Sequence, residues 1–193
     1  MICKQCATAD GYGGCCKLLS MESKFHQMPI TVRDAERVAI AAGMRPDFFV
    51  QVDSVLPRVK KYFSSVSNFF DKQTPGGVRL KLRTELLTGE CALLIPGEGC
   101  CLDEGSRPTV CRMFPFWWPD LLDPSRVEPI LASPSSCLAI FEAQGDSLAI
   151  ASLVAGPLPN DHEAIKAIYN QALEDTKHHR KNLGRFIRQL QGE

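Results

Sequence analysis

The stretch VRLKLRTELLTGECALLI, residues 78–95, decides the fold class. Val78, Leu80, Leu82, Thr84 and Leu86 alternate with Arg79, Lys81, Arg83 and Glu85, the period of a strand with one apolar face. Thr88-Gly89-Glu90 reads as a hairpin turn and residues 91–95 as the returning strand. TPGG at 74–77 supplies a turn before the first strand, and residues 127–132 offer one more short strand. Most of the remaining regular pattern is helical. TVRDAERVAIAAG at 31–43 has Thr31 as its cap with Asp34 three residues on, an apolar face of Val32, Ala35, Val38, Ala39 and Ala42, and Gly43 as its stop. Pro46 opens a second helix carrying Phe48, Phe49 and Val52, and Pro57 a third carrying Val59, Tyr62, Phe63, Val66 and Phe70. From Asp161 a long amphipathic helix carries Ile165, Ile168, Tyr169, Ala172 and Leu173. The basic run KHHRK at 177–181 interrupts it before Leu183, Phe186, Ile187 and Leu190 resume.

The segments 1–28 and 96–120 are rich in cysteine, glycine and proline, which favours loops with short helical turns. The expected architecture is therefore α+β: mainly α-helical, with a small antiparallel sheet and a cysteine-lined metal site joining two loops. Residues 1–140 form the expected cysteine-cluster metal-binding domain, and 141–193 a C-terminal helical segment packed on it.

A chain of 193 residues buries about 70% of its unfolded surface. Such a chain does not need a metal or a disulfide merely to fold. Its 22 Lys and Arg balance 22 Asp and Glu, which removes the electrostatic case for nucleic acid or an anionic membrane as a partner. The first twenty residues lack the apolar stretch of a signal peptide, and LAIASLVAG at 148–156 is too short to span a bilayer. A cytoplasmic location is the expectation. Thiols stay reduced there, so nine cysteines, an odd number, read as a metal or redox site before a disulfide frame.

Cys3 and Cys6 form a CxxC pair, the spacing with which a tight turn aims two sulfurs at one ion. The same spacing marks thiol–disulfide redox sites, but those follow a strand, and here the pair opens the chain. Cys15 and Cys16 are adjacent, and neighbouring side chains diverge along a backbone. Two such sulfurs suit two metals, or two irons of one cluster, better than one tetrahedral ion. Further along, CCLDEGSRPTVCRMFP at 100–115 sets Cys100, Cys101 and Cys111 beside Arg107-Pro108 and Arg112. Cys91 lies in an apolar strand and Cys137 in SSCLAIF, where core packing competes with ligation.

In these residues the chain resembles the bacterial and archaeal cysteine-cluster family named for a CxxCxxCC motif, described as a zinc- or iron-chelating domain. The family's N-terminal motif falls on Cys3, Cys6, Cys15 and Cys16, and its middle cysteine on Cys91. Its C…RPxxCR…P signature falls on Cys101, Arg107-Pro108, Cys111-Arg112 and Pro115, and its last cysteine on Cys137. The resemblance covers roughly residues 1–140, and RPTVCRMFP is its most specific part. Eight residues separate Cys6 from Cys15 where the family has fewer, Cys100 is additional, and Glu104 stands where the family has a tyrosine nearby. The resemblance implies metal ligation by Cys3, Cys6, Cys15, Cys16, Cys91, Cys101, Cys111 and Cys137. It also allows an enzyme, because related cysteine-cluster domains occur in a protein-lysine methylating enzyme of flagellin.

Eight thiolates around two divalent ions would carry a charge of about −4. Arg107 and Arg112 bracket Cys111, can donate to sulfur and offset that charge, and Pro108 stiffens the approach. The competing reading pairs these arginines with Asp103 or Glu104 at the surface. All-thiolate sites suit zinc, iron and iron–sulfur clusters alike. The expected function is chelation of zinc or iron, as ions or as an iron–sulfur cluster. The alternative is an enzyme or redox protein that uses the cluster, in protein modification or in thiol–disulfide sensing.

Other signals carry less. His26, His162, His178 and His179 have no ligand spacing to the cysteines and read as solvated or capping. KHHRK reads as a solvated helix face. Phe116-Trp117-Trp118-Pro119 reads first as core packing, and second as a cover over the cysteines or a contact patch for a protein partner. GYGG at 11–14 lacks the Lys-Ser/Thr of a phosphate loop, and no nucleotide cofactor is expected.

Overall fold

The computed structural model describes residues 29–57, 60, 72–85, 87–103, 105–113, 116–117, 128–129 and 162–193. Helix α1 spans Val32–Ala42 and α2 Pro46–Phe49. Strand β1 spans Val50–Ser54 and β2 Val78–Leu82. Two further strand pairs follow, β3 (Leu94–Ile95) with β4 (Gly99–Cys100) and β5 (Phe116–Trp117) with β6 (Glu128–Pro129). Helix α3 spans Thr109–Met113 and α4 His162–Gln191. The expected α+β class with a small antiparallel sheet is what the described residues form.

Helix α1 begins and ends where its sequence says. The Thr31 side chain accepts from the Asp34 amide at 3.0 Å, and Asp34 Oδ2 accepts from the Thr31 amide at 2.9 Å, a reciprocal capping box. Gly43 ends the helix at φ 63°, a left-handed conformation costly for other residues, and the Met44 amide closes back on Ala39 O at 3.1 Å. The buried face carries Val32, Ala35 and Val38 into a core with Ile30, Phe49, Val50 and Leu80.

The second helix is shorter than the sequence pattern suggests. Val52 lies in β1, not in a helix. Val50-x-Val52 is β-branched with strand period, and its partner β2 is at hand: Val50 pairs with Leu82, Val52 with Leu80 and Ser54 with Val78. Turn chemistry sets this register. Pro75–Gly77 forms a 3-10 turn in which Gly76 and Gly77 take φ of 66° and 74°, and the Val55 amide donates to Gly77 O. Ile30 bonds to β2 at Leu80, so Leu80 is flanked on both sides.

A second difference concerns Arg79, which the alternation places on the polar face. It is 1% exposed. It pairs across the strands with Asp53 at 2.9 Å, and Lys81 reaches the same carboxylate at 3.1 Å. Burial pushes the Asp53 carboxyl up, but hydrogen bonds and charge from Arg79 and Lys81 outweigh it and leave it below its ordinary value.

Helix α4, with 30 residues, is about 45 Å long. Its buried stripe runs Ile168, Ala172, Asp175, Thr176, His179, Leu183 and Phe186, helical spacing that passes straight through the basic run. The run is not a wholly solvated face. Lys177, Arg180 and Lys181 are exposed, but His179 is 0% exposed. Its Nδ1 accepts from the Val32 amide, 3.1 Å, one of the donors that the start of α1 cannot satisfy internally. Its Nε2 lies 3.0 Å from Gln73 O. An amide can only donate and a carbonyl only accept, so the ring is neutral with its proton on Nε2. Burial pushes its pKa down to about 4, against a smaller upward pull from the Gln73 hydrogen bond. Gln73 Nε2 also donates to Thr176 Oγ1 at 3.3 Å. This histidine is a joint between α1, α4 and residues 72–74: it is not solvated, but it does cap the start of α1.

The predicted third helix, with Val59, Tyr62, Phe63, Val66 and Phe70, lies outside the described residues, as do the side chains of Ile165 and Tyr169.

Candidate functional site

The cysteine-bearing segment begins where β2 ends. Thr84 bridges to Cys91, the Glu85 amide donates to Glu90 O and the Ala92 amide to Arg83 O, so the chain turns back where expected. The expected return strand over 91–95 does not form: Thr84–Cys91 is an isolated bridge, residues 92–93 are a turn, and 94–95 pair onward with β4. The chain then reverses again. Leu94 pairs with Cys100, and the Cys101 amide donates to Leu93 O at 2.8 Å. Gly97 and Gly99, at φ 79° and 99°, make this second reversal possible.

The double turn packs Cys91 inside the core with Leu93, Leu102 and Val110, while Cys100, Cys101 and Cys111 lie half-buried against it. Four cysteines from three segments thus share one core. All four are thiols. Cys3, Cys6, Cys15, Cys16 and Cys137 lie outside the described residues. Among the described residues, no three His, Cys, Asp or Glu side chains converge as a metal ion would require. The described thiols therefore do not close a site by themselves.

Cys111 rides on α3, a single turn whose Cys111 and Arg112 amides both donate to Pro108 O. The turn is pinned on two sides. Thr109, at its start, donates both its amide (2.9 Å) and its hydroxyl (3.0 Å) to Asp34 Oδ1, 75 residues upstream. Arg112 Nη1 donates to Gln171 on α4 at 3.2 Å. Arg107 Nε donates to Leu102 O at 3.2 Å, which folds the loop back on itself. Asp103 is occupied by Ser106, whose amide and hydroxyl both donate to it, and those bonds hold its carboxyl below the ordinary range.

Asp34 is 2% exposed and collects donors from two helix starts. Oδ2 takes the Thr31 amide and hydroxyl, Oδ1 the Thr109 amide and hydroxyl, and Arg37 adds a charged contact to Oδ1. Arg37 also reaches Thr109 Oγ1 at 3.4 Å, and its Nη1 lies 3.6 Å from Asp175 Oδ2 on α4. Asp175 is only 1% exposed, and its Oδ2 and Arg37 Nε have no hydrogen-bond partner among the described residues. Burial, and next the nearby Asp34 charge, push the Asp175 carboxyl up, while Arg37 and Arg33 pull it back. An open groove of about 380 Å3 passes over this pair, lined by Arg33, Arg37, Ile40, Ser106, Gln171 and Asp175.

The Thr31–Asp34 box is legible in sequence, but the Asp34–Thr109 tie is not, because nothing local marks a contact between positions 34 and 109. None of the described helices is long and apolar enough to cross a membrane. The chain matches no protein-family model, no curated protein and no solved structure among those compared.

Proposed function

We propose that this chain is a metal-binding protein whose cysteine thiolates chelate zinc or iron, as ions or as an iron–sulfur cluster. The supporting observation is the gathering of Cys91, Cys100, Cys101 and Cys111 on one core, three of them half-exposed. Structural cysteines are usually wholly buried and inert, whereas ligands need an approach from outside. The complete donor set would be Cys3, Cys6, Cys15, Cys16, Cys91, Cys101, Cys111 and Cys137. The metal would cross-link the start of the chain to the double turn at 91–101 and to α3. Arg107 and Arg112 stand beside Cys111 in sequence and bring positive charge to a site that binding makes anionic.

Anaerobic purification followed by metal and acid-labile sulfide analysis tests this. Bound metal in simple ratio to protein is expected, with loss of most of it in Cys101→Ser and Cys111→Ser. Sulfide with a brown colour identifies a cluster, and zinc without colour identifies a thiolate zinc site. A metal-free chain whose thiols cycle reversibly to disulfides contradicts the proposal.

A further inference from the structure

We propose that Asp34 is a positioning residue for Cys111, acting through Thr109. The buried Asp34 carboxylate accepts five hydrogen bonds, two from Thr31 at the start of α1, two from Thr109 at the start of α3 and one from Arg37. One residue thus welds the most regular helix of the N-terminal half to the one-turn helix that carries Cys111. A five-residue helix cannot hold itself in water, since its few internal bonds do not offset the ordering of its backbone. Its placement must come from outside. Val110 supplies an apolar anchor at 6% exposure, and Arg112 donates to Gln171 on α4. Among the described residues, Thr109 ties the start of the turn to Asp34, two residues before the sulfur.

The chemistry of the joint requires a carboxylate. Donors converge on both oxygens of Asp34, so an amide there has one oxygen for two sets of donors. Its NH2 would face the Thr31 or the Thr109 amide, donor against donor. Arg37, the link to Asp175 on α4, would lose one of the two charges it faces. That Cys111 is the sulfur worth placing rests on the metal reading above, but the positioning itself does not.

The test is site-resolved alkylation of the full-length protein by iodoacetamide, read peptide by peptide in a mass spectrometer. Metal content is measured on the same samples. In Asp34→Asn, Cys111 is expected to react about tenfold faster or more, because local opening of α3 exposes it. Cys91 and Cys101 should rise clearly less than Cys111, and only as far as metal is lost from the same sample, because among the described residues of that segment the Asp34 bonds reach Thr109 alone. Should Asp34→Asn fail to fold, Thr109→Val serves instead. It keeps the shape and the amide bond but loses the hydroxyl, and a rise of about fivefold is expected, the factor for one hydrogen bond. Thr109→Ser restores the hydroxyl and should restore the rate. Unchanged Cys111 reactivity overturns the proposal. So does a parallel rise at Cys91 and Cys101, which would make the effect global. A wild-type chain without metal refutes the metal reading but leaves the alkylation comparison fully decisive here.

Discussion

The α1–α4 joint and the cysteine-bearing segment are built on opposite principles. At the joint, a buried stripe on α4, apolar at Ile168, Ala172, Leu183 and Phe186 and polar at Asp175, Thr176 and His179, meets the buried face of α1, and His179 uses both ring nitrogens. Regular structure is long there, and each helix has its own apolar face. Between Cys91 and Met113 the strands are two residues long, the helix is a single turn, and three of four thiols remain half-exposed. That segment is held by ties to distant residues, Asp34 and Gln171 among them. The contrast assigns stability to the first region and chemistry to the second. On the metal reading proposed above, ligand removal should act chiefly on the second region.

The largest expected effect breaks the joint. His179→Ala strands the Val32 amide and the Gln73 carbonyl and opens a cavity, at a cost of about 3–5 kcal/mol. Urea denaturation followed by helical circular dichroism measures it. A loss under 1 kcal/mol would mean that His179 is not the joint described.

Acid should weaken the same point. The His179 pKa falls from about 6.5 unfolded to about 4 folded. The unfolded chain therefore binds the extra proton between those values, and stability is lost as pH drops from 6.5 toward 4, by about 3 kcal/mol in all. Asp175 acts in the opposite sense. Its raised carboxyl takes up a proton more readily when folded, which offsets part of the loss at the acid end. The slope between pH 6.5 and 5 should be absent from His179→Gln.

Substitution at the turn that leads into β2 comes next. Gly76→Ala places a side chain at φ 66° and should cost about 1–2 kcal/mol, although nothing lies within 4 Å of the added carbon. Thr31→Ala removes a cap and one of the Asp34 donors and should cost about 1 kcal/mol or slightly more. At the bottom of the scale, Lys177→Ala breaks only an exposed pair with Glu174 and should leave the melting temperature unchanged within error.

How much of this was legible in the sequence follows the same division. Helix α1, with its cap, stop and buried face, can be read in full because each signal lies within four residues of the next. The strand period of 78–82 and the hairpin to Cys91 are equally local. Val52 reads as helical because Pro46 opens a helix, and what ends that helix is pairing with β2, about thirty residues away. Arg79 reads as solvent-facing because alternation reports two faces but not what covers them. His179 reads as solvated because four basic neighbours surround it, while spacing from Ala172 and Leu183 places it on the buried stripe. The number and spacing of the cysteines carry the metal reading proposed above. The tie from Asp34 to Thr109, beside Cys111, is not legible, because a carboxylate inside a capping box already has a sufficient local explanation.

Hydrogen exchange before and after chelation of the anaerobically purified protein tests the division of labour most directly. Removal of the metal should lower amide protection across residues 91–113 while residues 162–191 keep theirs and the helical circular dichroism stays largely intact. If both regions lose protection together, or if the chelator changes neither, the assignment of fold to the helices and metal to the cysteine segment is wrong.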